Sequence, residues 1–465
     1  MSMSERANDE QERALVDAAT AVLRRNDLGG RTRAAPRLYP HQWSWDSAFI
    51  AIGWAALDPS RAAQELRTLF AAQWASGMLP HIVFDPAVPP GAYFPDAAYW
   101  DCQRLAEAAP RAVQTSGLCQ PPVHALAVRR IWEAAAGGDA ATRAAGQAFV
   151  RESYPHLLAW HRYLATARDP EGSGVVTIVH PWESGMDNAP RWDSPFAAVV
   201  VGELPPYTRA DLQHVADPAQ RPTRGDYDRY LWLVELLKRA RYDDTAVQRA
   251  HPFRVKDVFF SAILVAANVA LLELAALSDA PEEERVAIAG WIARGRQGQE
   301  AQWEETLGLG LDRDARTGQA LVARTVAGFA PLLAGDVPAD QRAALLTTLD
   351  SAAFLGHPGL RWRVPPSTSP ADPAFQPRSY WRGPTWPVIT WLLWWALVRD
   401  GEAARAARLR QAALAQVQAC GFAEYVEPFT GEPLGSQEQS WTEAVTLDWL
   451  VGSGAPSVIG HGRPG

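Results

Sequence analysis

The chain has 465 residues, 48% of them hydrophobic and 21% charged, enough apolar material for a sizeable core in an ordinary soluble globular protein. A net charge of −8 with no basic cluster argues against a nucleic-acid or anionic-membrane partner. The outlier is 20 tryptophans beside 36 prolines, which points to stacking surfaces and many shaped loops.

In chain order, residues 5–25 place Leu15, Ala18, Ala19, Val22 and Leu23 on one side, the stripe of an outer or capping helix. Residues 38–47 form an aromatic loop that runs into a helix through Phe49, Ile50, Ile52, Trp54 and Leu57, with Ser44 or Asp46 placed to cap it or, for Asp46, to bind a ligand. A helix over 59–73 follows. Residues 86–100 are too rich in Pro, Gly and Tyr for one, and a polar loop at 115–122 enters a helix over 123–136. Residues 142–166 are helical again, and a β-prone run at 175–179 delivers a loop with two indoles and three acids, Trp182 to Asp193. The proline-rich stretch 195–228 reads as an insertion covering the site. Helices resume at 226–240, 255–277, 282–307, 339–349, 388–398 and 403–420, and a last one opens at 437–441 and runs toward Leu450. Asp312-Arg313-Asp314 reads as a surface turn, because it lacks the remaining oxygen ligands of a calcium loop.

About a dozen helices joined by alternating short turns and long loops fit an all-α fold, an (α/α)6 barrel forming a single domain over 1–465 with its long loops at one end. No internal sequence repeat is visible, and a non-barrel helical array is the other architecture open. Five loops share one composition: 39–46, 93–100, 182–193, 380–386 and 422–430. If they meet, they build a pocket walled by Trp43, Trp45, Trp182, Trp381 and Trp386, with Asp46, Asp187 and Glu424 inside. Sugar cleavage needs such a pair of acids, and an indole-lined pocket both stacks a pyranose and raises a carboxyl pKa by desolvation. A single loop of this kind would equally suit an aromatic corner with solvated acids; five together do not.

The lone histidines His41, His81, His124 and His180 lack metal-ligand spacing and read as structural, so no metal is expected, and no glycine-rich nucleotide cradle appears, so no cofactor is expected. Cys102, Cys119 and Cys420 are odd in number and read as free thiols of a reducing compartment. The N-terminal residues lack an apolar signal core, and no run of about 18 apolar residues is evident; a cytoplasmic enzyme is the default expectation. Oligomeric state is left open, a homo-oligomer included.

Tyr39-Pro40-His41-Gln42-Trp43-Ser44-Trp45-Asp46, Trp182-Glu183-Ser184-Gly185-Met186-Asp187-Asn188, Tyr380-Trp381-Arg382-Gly383-Pro384-Thr385-Trp386 and Glu424-Tyr425 ahead of Thr430-Gly431 resemble glycoside hydrolase family 63. The closer likeness is to its short bacterial branch, the mannosylglycerate and glucosylglycerate hydrolases, and it runs from about residue 36 to 451. The resemblance implies an (α/α)6 barrel and an inverting hydrolysis with Asp187 as general acid and Glu424 as general base. It implies a sugar-binding set of Trp43, Trp45, Asp46, Gln120, Trp182, Gly185, Tyr380, Trp381 and Trp386. It also implies glycerate binding by Arg221, Tyr227 and Gln439, with Tyr39 and Tyr93 nearby. The expected substrate is a small α-glucoside or α-mannoside, glucosylglycerate or mannosylglycerate. A trehalase-like or oligosaccharide-trimming α-glucosidase and a non-catalytic sugar-binding protein are the rivals.

Overall fold

A computed structural model of the chain describes residues 3–213 and 217–452. Twelve of its helices alternate between two positions along the chain: α1 (Met3–Asn26), α2 (Ser44–Ala55), α3 (Pro59–Phe70), α4 (His124–Ala136), α5 (Ala140–Thr166), α6 (Val258–Leu277), α7 (Glu282–Ala301), α8 (Ala330–Ala334), α9 (Ala339–Asp350), α10 (Pro387–Arg399), α11 (Ala403–Cys420) and α12 (Ser440–Val451). Each even-numbered helix packs on the next, α2 on α4, α4 on α6, α6 on α8, α8 on α10 and α10 on α12, and α12 returns to α2. Odd-numbered helices lie outside this circuit: α1 against α12, α3 against α2 and α4, α5 against α4 and α6, α7 against α6 and α8, and α11 against α10 and α12.

Composition explains the two positions. Every residue of α2 is buried, as are nearly all of α10 and α12; α10 is apolar all round because it meets protein on all sides, while α12 also buries Thr442, Glu443, Thr446 and Asp448. In α3, by contrast, Ala62, Ala63, Glu65, Leu66, Leu69 and Phe70 face inward while the other positions are polar or half-exposed. The circuit is tight. A Cβ on Gly53 of α2 would lie 2.3 Å from Cα of Ala444 in α12, so the two helices touch backbone to backbone.

Three helix boundaries correct the sequence reading. Val255–Lys256 is a strand, and α6 begins only at Val258, capped by Asp257, whose carboxylate accepts from the amides of Phe259 and Phe260. Helix α7 stops at Ala301 instead of reaching residue 307, because Trp303–Glu304 pairs with Leu309–Gly310. The cap of α2 is Trp43, with no side-chain bond, so neither Ser44 nor Asp46 has the capping role. Helix α6 also overturns the expectation that no long apolar run exists: it is long and apolar enough to cross a membrane, and most of it is buried in the protein core.

Short strands pin the long loops. Gln42–Trp43 pairs with Ile82–Val83, and Tyr425–Val426 with Pro433–Leu434. Thr177–Ile178, Val255–Lys256, Asp312–Asp314 and Ala320–Leu321 form one antiparallel sheet. Asp312 is therefore no surface turn. It is buried and grips Arg191 of the 182–193 loop. The segment between α5 and α6 holds further helices outside the alternation, Asp193–Ala197, Arg224–Arg239 and Asp244–Ala250 among them.

Candidate active site

One cavity gathers residues from each of the five aromatic loops: Tyr39, Trp43, Trp45 and Asp46 from the first, Tyr93 from the second, Trp182, Gly185 and Asp187 from the third, Tyr380 from the fourth and Glu424 from the fifth. Gln120, Arg221, Tyr227 and Gln439 of the expected set also lie on its wall. The segments carrying Tyr39 and Trp43, Gln120, Tyr380 and Gln439 lead directly into α2, α4, α10 and α12.

Glu424 is 1% exposed and precedes the Tyr425–Val426 strand of its hairpin. Its Oε2 accepts from the amide of Ser436 (3.0 Å) and its Oε1 from Tyr39 Oη (2.8 Å). That assigns the Tyr39 proton, so Tyr39 accepts from Tyr380 Oη (3.1 Å) and from Arg221 Nη1 (3.0 Å). Burial raises the Glu424 pKa above the ordinary carboxylate value, while the Arg221 charge and these hydrogen bonds pull against it. The Arg221 side chain is 8% exposed, lies 4.3 Å over the Tyr380 ring and also bonds Asp211 Oδ2 (3.4 Å).

Asp187 follows the turn made by Gly185, whose φ of +72° is left-handed and whose missing Cβ leaves room for the Trp45 ring, 2.6 Å from where that atom would sit. The Asp187 carbonyl accepts from Trp192 Nε1 (3.2 Å) and Tyr230 Oη (3.1 Å), which fixes the backbone and leaves the carboxyl toward the cavity. Burial pushes its pKa up to about 7, against the pull of Arg221 and with the help of the Glu424 charge. A carboxylic acid that keeps its proton near neutrality is what a general acid requires. Asp46 is driven well above its usual value by burial and by the charges of Glu424 and Asp187.

The loop that presents Asp187 is clamped from outside the cavity. Its other acids are structural: Glu183 is buried against Arg168 (2.8 Å) and accepts from the Val179 amide, and Asp193 takes both Arg382 nitrogens (2.8 and 2.7 Å). Arg191 is buried between Asp257 (2.5 Å) and Asp312 (2.7 Å), and Asn188 Oδ1 accepts from the Trp381 amide (2.9 Å).

Two expected wall residues are displaced. Trp381 and Trp386 stack on each other with ring centroids 3.6 Å apart and are each 1% exposed, so they form a backing layer behind the wall, Trp381 leaning on Trp45 and Trp386 on Tyr425. The indole that lines the cavity in their place is Trp441 at the start of α12, edge-on to Trp45 with Nε1 unpartnered. Gln439 Oε1, buried on the same wall, also has no protein partner. Asp211, Tyr230, His81 and Phe94 join the lining without standing out in the sequence as site residues; only an acid two residues after Arg209 hints at Asp211, which both Arg209 and Arg221 engage. His41 and His180 have structural roles, His41 Nδ1 accepting from the Asp85 amide and His180 lying against the Tyr230 carbonyl, whereas His81 is on the cavity wall. The three cysteines are free and buried. Among the described residues no cluster of His, Cys, Asp and Glu is arranged to hold a metal ion.

Paired acids of raised pKa within indole and tyrosine walls make this the site of a glycoside hydrolase. Residues 39–442 match the mannosylglycerate hydrolase MGH1-like glycoside hydrolase domain. The chain is 50% identical over 436 residues to a glucosylglycerate hydrolase of Mycolicibacterium hassiacum, covering 94% of this chain and 97% of that one. It is 45% identical over 432 residues to a mannosylglycerate hydrolase of Thermus thermophilus, covering 93% and 99%. A crystal structure of a family 63 mannosylglycerate hydrolase from Thermus thermophilus, in complex with Tris and D-glycerate, superposes with a TM-score of 0.85 at 44% identity, covering 94% of this chain and 99% of that one. The chain belongs to these MGH1-like enzymes of glycoside hydrolase family 63.

Proposed function

We propose that this enzyme hydrolyses a small anionic α-glycoside, glucosylglycerate or mannosylglycerate, with inversion. Asp187 gives its proton to the glycosidic oxygen as the C1–O bond breaks. Glu424 takes a proton from the water whose oxygen bonds C1 from the opposite face. Asp46, Gln120, Trp43, Trp45, Trp182 and Trp441 hold the sugar, the carboxylate of Asp46 accepting hydroxyls and the indoles covering the ring faces. Arg221 receives the glycerate carboxylate through its planar fork, with Tyr227, Gln439, Tyr39 and Tyr93 around the glycerate hydroxyl. The observation that carries this reading is that Asp187, Glu424 and Arg221 line one cavity, which supplies an acid, a base and a cation for the aglycone. The 50% identical glucosylglycerate hydrolase makes the glucoside the first substrate to test.

The twelve alternating helices and their closed circuit of contacts support an (α/α)6 barrel, and one core cluster running from Leu15 to Trp449 supports a single domain. Residues 195–228 serve as its cap, since Ala210, Asp211, Arg221, Pro222 and Tyr227 reach the cavity from that segment. Free thiols fit a cytoplasmic setting. The test is a hydrolysis screen over glucosylglycerate, mannosylglycerate, trehalose and short α-glucans, followed by proton NMR. The expected outcome is turnover of a glycerate glycoside with the β-sugar appearing first; the α-sugar as first product would refute inversion, and preference for trehalose would refute the aglycone assignment.

A further inference from the structure

We propose that Tyr39 couples the charge of the leaving group at Arg221 to the proton affinity of Glu424, so that an anionic aglycone strengthens the base that will activate water. The inference rests on the aglycone reading above and deepens it: selectivity for a carboxylate-bearing leaving group would be exercised in the chemical step as well as in binding.

The geometry is a three-member chain. Arg221 Nη1 donates to Tyr39 Oη, and Tyr39 Oη donates to Glu424 Oε1, with Tyr380 as a second donor to the Tyr39 oxygen. A donor bonded to a hydroxyl oxygen polarises that hydroxyl and strengthens its own donation onward. In the free enzyme, therefore, the guanidinium acts on Glu424 twice, by its charge across the cavity and by making Tyr39 a better donor. Both stabilise the carboxylate and weaken it as a base. A glycerate carboxylate paired with Arg221 neutralises the first effect and competes with Tyr39 for Nη1, which relieves the second. The charged and titratable groups facing Glu424 are Arg221, Tyr39, Tyr380, Asp46 and Asp187, with the Ser436 amide beneath it. Asp187 keeps its proton up to about pH 7 and so adds no charge beside Glu424 below that value, and Arg221 is the cation among these groups, so its neutralisation is the change that tips the balance. A substrate of the same size with an uncharged aglycone would leave the guanidinium on Asp211 and Tyr39 as in the free enzyme and meet a weaker base.

The experiment uses the full chain and D-glycerate as probe. Calorimetric titration at about pH 6, in buffers of differing ionisation enthalpy, reads the protons taken up per glycerate bound. Wild type is expected to take up a fraction of a proton, and most of it to be lost in both Tyr39→Phe and Glu424→Gln, while glycerol gives none. In steady state, the acidic limb of kcat for glucosylglycerate should lie about one pH unit above the acidic limb of kcat/KM, a gap absent with glucosylglycerol and narrowed in Tyr39→Phe. Uptake of zero in wild type, or uptake undiminished in both variants, overturns the coupling. Glycerate affinity that is indifferent to Arg221→Gln overturns the aglycone reading itself, and the coupling with it, so the two failures are told apart.

Discussion

A methyl group added at Gly435 would fall 2.3 Å from Oε2 of Glu424, because the hairpin that carries this carboxyl doubles back on it at a residue with φ of +68°. The base is thus seated by the shape of a two-strand hairpin as much as by its hydrogen bonds. Gly435→Ala is expected to lower kcat at least ~10-fold by pushing the carboxyl off line, and to lower unfolding stability by roughly 1–2 kcal/mol through the left-handed backbone. Steady-state kinetics beside urea unfolding separates the two effects. Undiminished turnover would show that the seat of Glu424 does not matter.

Asp187 makes activity and stability depend on pH in the same direction. The unfolded chain gives up this proton near 3.8 and the folded one near about 7, so between those values the folded state binds more protons. Its contribution to stability is fully present below the lower value and lost as pH rises through the upper. Wild-type kcat/KM should fall as pH passes above about 7, where the acid is spent. Asp187→Asn should abolish most turnover yet melt higher than wild type at about pH 8. A variant that melts lower there would refute the raised pKa.

Arg191 neutralises two buried acids on behalf of the loop that carries Asp187. Arg191→Met leaves Asp257 and Asp312 uncompensated in the interior and is expected to cost about 3–5 kcal/mol, read by urea unfolding. A cost below about 1 kcal/mol, typical of exposed pairs, would show that the clamp is dispensable.

Arg221→Lys keeps the charge and loses the fork. The expected result is a drop of ~10- to 100-fold in kcat/KM for glucosylglycerate with a much smaller change for glucosylglycerol, since a bidentate guanidinium contact with a carboxylate is worth about 1.5–3 kcal/mol. Equal losses on both substrates would assign Arg221 to the architecture of the site instead of the aglycone.

What can be read from the sequence follows what periodicity and composition encode. Helices α6 and α10 announce themselves by being apolar on nearly every face, and the aromatic loops by their lack of period. The direction of a side chain from a loop is not encoded that way. Trp381 and Trp386 read as cavity walls, yet the turn at 380–386 stacks them on each other, and Trp441, in sequence only the start of a helix, fills their place. Asp312 is misread for a related reason: a strand of three residues is too short to show alternation, and its burial is explained by distant partners, Arg191, 121 residues away, and the Val258 amide. Acids are equally ambiguous by type. Of Glu183, Asp187 and Asp193 in one loop, two anchor it and one faces the cavity, a distinction made by Arg168 and Arg382 from distant segments.

The return of α12 to α2 sets when a newly made chain can first work. Tyr39 and its partner Glu424 are 385 positions apart, so the site needs a hydrogen bond between an early and a late part of the polypeptide. Ordering so long an intervening stretch has to precede that bond, and folds dominated by such distant pairings assemble slowly. Until α12 has left the ribosome, the pocket lacks its base, its Gln439 and its Trp441, and the translated portion is inert toward sugars.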